Sequence, residues 1–265
     1  MPLQTASRSD WLNVRLHFSN MYSVGVPNEH FRAESFSGFN LVEMELDDST
    51  TFEEGGVDKL NALLASSKGL KRLAVGPLVR FTASHGRLPA IRTLSLSGDC
   101  WPYQPTDISG IWDFSRLKSL SFKRTDIREF AESVPFHSLV ALKELSVRED
   151  DSNSFREQMS ASTHLAEFIA KLQGLQKIDV DMTFPTKVLD SLRKHGDTLR
   201  ELSISSNRQA EEWLAPHHVK GISVSCPHLV GLNVEFKVPS YIEEGERLES
   251  YAMVFPYSIP DMADC

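Results

Sequence analysis

The sequence predicts an α/β solenoid, a curved stack of strand-and-helix units, on three observations. Apolar residues recur at relative positions 1, 4 and 6 of a repeated unit. Positions 3, 5 and 7 beside them are polar or small, and the stretches joining one unit to the next change to helical spacing. The units are Leu41-Met44-Leu46, Leu70-Leu73-Val75, Ile91-Leu94-Leu96, Leu117-Leu120-Phe122, Leu142-Leu145-Val147, Leu175-Ile178-Val180, Leu199-Leu202-Ile204 and Leu229-Leu232-Val234. Their first positions lie 29, 21, 26, 25, 33, 24 and 30 residues apart. One or two such matches arise by chance in a chain with this much leucine; eight in order do not.

A mean spacing of about 27 residues lies within the range of leucine-rich repeats. Two weaker copies flank the eight, Trp11-Val14-Leu16 before and Leu248-Tyr251-Met253 after. Terminal units cap a solenoid and are expected to be atypical. The chain therefore reads as a single leucine-rich repeat domain over 1–265, with an N-terminal cap holding a weak repeat (1–40), eight repeats (41–238) and a C-terminal cap (239–265).

Each element follows from its pattern. Apolar positions 4 and 6 alternating with polar neighbours give a short strand buried on one side. Helical spacing follows at Val57, Leu60, Leu63 and Leu64, at Leu165, Phe168, Ile169 and Leu172, and at Val188, Leu189 and Leu192. Gly69, Gly174 and Gly196 stand where helix C-termini would place them. Strand then helix, repeated, requires parallel strands and right-handed crossovers with the helices on one face. Strands are about 4.8 Å apart and helices about 10 Å wide, so the stack must bend into a horseshoe with the sheet on the concave side. Position 9 carries Ser49, Leu78, Asp99, Thr125, Asp150, Thr183, Asn207 and Lys237. Six of these are short polar side chains suited to hydrogen-bonding a turning backbone, and Leu78 and Lys237 predict irregular turns.

Composition narrows the function. With Lys+Arg 28 against Asp+Glu 36 the net charge is −8, which gives no general attraction to nucleic acid or to an anionic membrane, although a local basic patch remains possible. At 41% apolar residues the chain has material for a sizeable core. Cys100, Cys226 and Cys265 are few and widely spaced, the usage of free thiols in a reducing compartment. The polar start and the absence of a long apolar run predict a soluble protein of the cytoplasm or nucleus.

No nucleophile elbow, Walker loop, zinc-protease helix or dinucleotide fingerprint occurs, so neither an enzyme nor a cofactor is expected. His217, His218, Cys226 and His228 are metal-capable and close in sequence, yet they lack the paired spacing of a zinc site and read as a polar connection beside a strand. What the repeat does present is a row of exposed side chains. Candidate partner-binding residues on the concave face are Glu45, Arg72, Ser95, Ser121, Lys123, Ser146, Arg148, Asp179, Asp181, Ser203 and Asn233. The face is acidic at Glu43, Glu45 and Asp47, serine-rich in the middle, positive at Lys123 and Arg148 and negative again at Asp179 and Asp181. A shallow floor of alternating charge suits a ridge-like or helical protein partner.

Two connections stand out. Trp101, Pro102, Tyr103, Pro105 and Trp112 lie in one; they either anchor a partner or cover the core on the convex side, and the second is preferred. Arg148 to Ser154 is a charged run where a strand ends, read as a solvated loop in preference to a binding insertion.

The phrases Cys226-Pro227-His228-Leu229-Val230-Gly231-Leu232-Asn233-Val234 and His195-Gly196-Asp197-Thr198-Leu199-Arg200-Glu201-Leu202-Ser203-Ile204 resemble the leucine-rich repeats of F-box proteins, notably fungal ones. The resemblance implies that the repeats hold a substrate for ubiquitylation, while a separate F-box recruits the ligase through an adaptor. No F-box is recognisable in Met1 to Asn40, which lacks the leucine-proline opening and the helical pattern after it. The competing expectation is a free-standing scaffold or inhibitor that sequesters a protein partner.

Overall fold

In the computed structural model the described residues are 13–18, 40–46, 55–76, 80–98, 101, 103–149, 155–183, 186–205 and 214–234. Nine strands lie among them: β1 Asn13–Phe18, β2 Asn40–Leu46, β3 Arg72–Val75, β4 Thr93–Ser97, β5 Ser119–Lys123, β6 Glu144–Arg148, β7 Lys177–Asp181, β8 Glu201–Ser205 and β9 Gly231–Val234. They form one sheet in chain order, every neighbouring pair is parallel, and the sheet does not close on itself. Strands β3 to β9 each begin at position 3 of their unit, as the alternation predicts.

Register is set by the buried positions. Met44, Leu73, Leu94, Leu120, Leu145, Ile178, Leu202 and Leu232, all at position 4, stand opposite one another in a single file. A one-residue slip would turn this file out to solvent, so burial specifies the pairing. The units are also joined at position 2. Lys71, Arg92, Lys118, Lys143, Gln176, Arg200 and Val230 each donate a backbone N–H to the position-2 carbonyl of the preceding unit, at 2.7–2.8 Å.

The N-terminal copy is corrected by two residues. Leu16 pairs with Met44 and Phe18 with Leu46, so positions 4 and 6 are Leu16 and Phe18 instead of Val14 and Leu16. Alternate residues from Val14 to Phe18 are all apolar, and either pair satisfies the pattern; a register shift between Val14 and Arg15 absorbs the difference. The C-terminal copy and cap lie outside the described residues.

Among the described residues, helices and turns cover one face of the sheet only. Helix α1 spans Gly56–Ser66, α2 Pro105–Ile111, α3 Ile127–Ser133, α4 Phe155–Lys171, α5 Thr186–Leu192 and α6 Pro216–Ser225. Their apolar stripes join positions 1, 4 and 6 in one continuous core. The expected helical stretches are α1, α4 and α5. The shortest interval, between β3 and β4, has room only for a 3₁₀ turn at Ala83–His85.

The aromatic connection turns inward. Trp101 is 5% exposed and Trp112 2%, and α2 lies between them, outside the three stretches with helical spacing. The Trp101 indole N–H donates to Ser133 Oγ at 2.6 Å, and the Tyr103 hydroxyl accepts from the Phe81 N–H at 2.8 Å. Burial pushes the Tyr103 phenol far above its ordinary range. These rings cover the core and leave no anchor at the surface.

Two of the three glycines have separate reasons. Gly174, three residues past the end of α4, holds a left-handed φ of 66°, a conformation that favours glycine. Gly196 is right-handed; a Cβ there would lie 2.0 Å from the Ser225 carbonyl oxygen, so close backbone approach excludes any larger residue. Gly69 is not among the positive-φ glycines.

His195, 1% exposed, ties neighbouring units together on the helix side. Its Nδ1 accepts from the Leu175 N–H at 3.4 Å, which leaves Nε2 to donate to the Ile169 carbonyl at 3.0 Å. Burial, with Lys194 nearby, lowers its pKa below the ordinary 6.5. The unfolded chain therefore takes up a proton first, and stability contributed by the neutral ring is present above pH 6.5 and is lost as pH falls below it. His195→Gln should lower stability at pH 8 by about 1–2 kcal/mol. Relative to wild type it should flatten the acid loss, measured by chemical denaturation at a series of pH values.

Candidate functional site

Strand alternation that buries positions 4 and 6 sends positions 3, 5 and 7 to the face without helices. Parallel register then aligns them in files. At position 5 the file runs Glu45, Ala74, Ser95, Ser121, Ser146, Asp179, Ser203 and Asn233, and at position 7 it includes Ser97, Lys123, Arg148, Asp181 and Ser205. At position 3 Arg72 stands between Glu43 and Thr93. Every expected partner-binding residue therefore lies on this open face; Asp47 and Glu235 lie outside the described residues.

The face falls into regions of different chemistry. At its start Arg72 pairs with Glu43 at 3.7 Å. Farther along, Lys177 pairs with Glu201, Ser146 Oγ donates to Asp179 Oδ2 at 3.3 Å and Asn233 Nδ2 donates to Ser203 Oγ at 3.3 Å. Between these stretches lies a hydroxyl floor of Thr93, Ser95, Ser119 and Ser121. The large apolar residues exposed among the described residues are Val140, Met159, Val224 and Val230, and none is on this face. A helical partner presenting an apolar stripe would find no large exposed apolar side chain among the described residues of this face, which disfavours the helical alternative.

Lys123 and Arg148 stand directly opposite on β5 and β6 and are both exposed. No ion pair engages either one among the described residues. Like charges facing each other across strands repel, so a carboxylate or another anion arriving between them gains twice over. Asp181 faces Arg148 from β7 and supplies the opposite sign one strand farther on.

Glu149, next to this pair in the charged run, has contacts that the sequence pattern does not show. Its N–H donates to the Asp181 carbonyl at 3.0 Å, and its Oε2 accepts from the Thr183 N–H at 3.0 Å. Burial, reinforced by the Asp181 charge, raises its pKa from 4.5 to about 7. Because the folded value is the higher one, stability is fully present below pH 4.5 and falls as pH rises to about 7. Glu149→Gln should remove that loss and stabilise the protein at pH 8 by about 1 kcal/mol, with no gain at pH 4.5, read by denaturant melts.

Of the position-9 residues, Thr125 behaves as expected, its hydroxyl donating to the Leu96 carbonyl at 3.2 Å. Thr183 is buried and its hydroxyl makes no such bond. The other six lie outside the described residues, as does Asp150 to Ser154 of the charged run.

Of the metal-capable residues, His217, His218 and Cys226 line a cleft of about 230 Å³ between α5 and α6, and His228 is not part of its lining. His218 Nδ1 accepts from the Ala215 N–H at 3.0 Å and caps its own helix. Cys226 is 2% exposed, and burial pushes its thiol up. Among the described residues no three His, Cys, Asp or Glu side chains are placed to share an ion.

One feature escaped the sequence reading because position 2 belongs to neither face. Lys71, Arg92, Lys118, Lys143 and Arg200 occupy it on the ladder-joined units, interrupted by Gln176. Reading that column down the repeat would have found it.

No helix among the described residues is long and apolar enough to cross a membrane. Comparisons with family models, with curated proteins and with solved structures returned no match.

Proposed function

We propose that the chain is a leucine-rich-repeat horseshoe that binds another protein on its open face without catalysis, as the substrate-recognition part of an F-box-type ubiquitin ligase receptor. The observation that carries the binding half is the Lys123–Arg148 pair, two exposed like charges set opposite each other above a hydroxyl floor. The ligase half is supported by the repeat phrases at His195–Ile204 and Cys226–Val234 alone.

The test is affinity capture from cells with the full chain and with Lys123→Glu/Arg148→Glu. The proposal expects a reproducible protein partner whose recovery falls about tenfold with the double reversal, as hot-spot loss would give. Unchanged recovery would overturn the open face as the site. Co-purification of a ligase adaptor and ubiquitin conjugates supports the ligase half. Capture of a partner without them drops that half and leaves a scaffold or inhibitor.

A further inference from the structure

We propose that the strand-entry rim of the sheet is a second docking site, for an acidic polypeptide segment carrying a run of about four or more carboxylates. The proposal is independent of the open-face reading, because it concerns a different file of side chains.

Lys71, Arg92, Lys118 and Lys143 occupy position 2 of four consecutive units, and their backbones are joined by hydrogen bonds of 2.8 Å. The strand step therefore sets these cations about 4.8 Å apart at the backbone, a run of about 14 Å. Lys71, Arg92 and Lys118 are exposed, and no ion pair engages them among the described residues. Lys143 is tied down, its Nζ donating to the Gly174 carbonyl at 3.3 Å. Stacked like charges on adjacent strands repel, and here they do so in a protein of net charge −8. An anionic ligand along the row removes that repulsion.

Length and width favour a polypeptide. An extended chain advances about 3.3 Å per residue, so four or five residues span the row. Beside the row, position 3 carries Arg72, which is paired with Glu43 of the preceding strand at 3.7 Å, then Thr93, Ser119 and Glu144, so no second file of cations runs along it. A nucleic-acid duplex brings two charged strands and would set the second against that file and the overall negative charge. A single acidic segment carries one row.

The test uses the full chain with fluorescein-labelled hexaglutamate, read by anisotropy at low ionic strength, roughly 0.02 M, where surface charges are little screened. A hexauridylate probe is run in parallel. Lys71→Glu/Arg92→Glu/Lys118→Glu is compared with Arg128→Glu/Lys187→Glu/Lys220→Glu, which changes net charge equally on the helices. The proposal expects hexaglutamate binding that weakens about tenfold or more in the rim triple, by less than about twofold in the helix triple, and by less than about twofold in Lys123→Glu/Arg148→Glu. A milder Lys71→Gln/Arg92→Gln/Lys118→Gln variant should weaken it in between, which separates lost binding from lost folding. Equal loss in both triples, or no binding by wild type, overturns the proposal. Hexauridylate binding as tightly as hexaglutamate overturns it in favour of nucleic acid.

Discussion

Replacing Phe130 by Ala should cost about 3–5 kcal/mol, the range for emptying a large aromatic site in a core. Phe130 is 0% exposed on α3 and its ring contacts rings from several units: Trp101 at 4.9 Å, Phe122 of β5 at 5.0 Å, Phe114 at 6.1 Å and Phe168 of α4 at 6.0 Å between centroids. Edge-on geometry with Trp101, Phe122 and Phe168 adds to the area term. In a stack where each unit touches only its neighbours, the cavity uncouples the units on either side. Thermal melting should move down by about 10 °C, and hydrogen exchange should rise first at the amides of β5 and β6. Phe130→Leu should recover most of the loss. Equal exchange across the whole sheet would contradict the picture of locally coupled units.

Gly196→Ala should destabilise by about 3 kcal/mol, the upper end for forcing an extra carbon into a packed site. Its Cβ would also lie 3.2 Å from the Ser225 carbonyl carbon and 3.3 Å from the Arg193 oxygen. Both crowding groups are backbone, and Ser225 is the last residue of α6, so relief requires that helix to move. Gly174→Ala is the control. There the nearest atom is Lys143 Nζ at 3.2 Å, the end of a flexible side chain, and the cost is the left-handed φ alone, about 1 kcal/mol. Denaturant melts of the two variants separate a contact from a conformation. A smaller loss for Gly196→Ala than for Gly174→Ala would contradict the close approach.

Gly196 also marks a limit of legibility. Its place after α5 is a local pattern and could be read; its contact with Ser225 joins residues 29 apart, and no window of sequence contains it. The strands were legible because burial on one side forces a period of two, and position 4 held its register from Met44 to Leu232. The same rule failed at β1, where Val14, Leu16 and Phe18 offer two apolar pairs and only the neighbouring strand chooses between them. Candidate face residues such as Ser121 and Arg148 followed directly from strand alternation. Glu149 did not, because its perturbed carboxyl depends on Thr183 and Asp181 in the next unit. Trp101 and Trp112 were ambiguous as letters, since an aromatic serves equally to fill a core or to anchor a partner, and only their burial decided it.

The most direct test of the open-face account is photocrosslinking in cells from a benzophenone amino acid at Ser121, compared with Val224 on α6, which is 75% exposed on the helix side. The account predicts a discrete protein adduct from position 121 that disappears in Lys123→Glu/Arg148→Glu, and no such adduct from position 224. The same adduct from both positions, or one from position 224 alone, would contradict it.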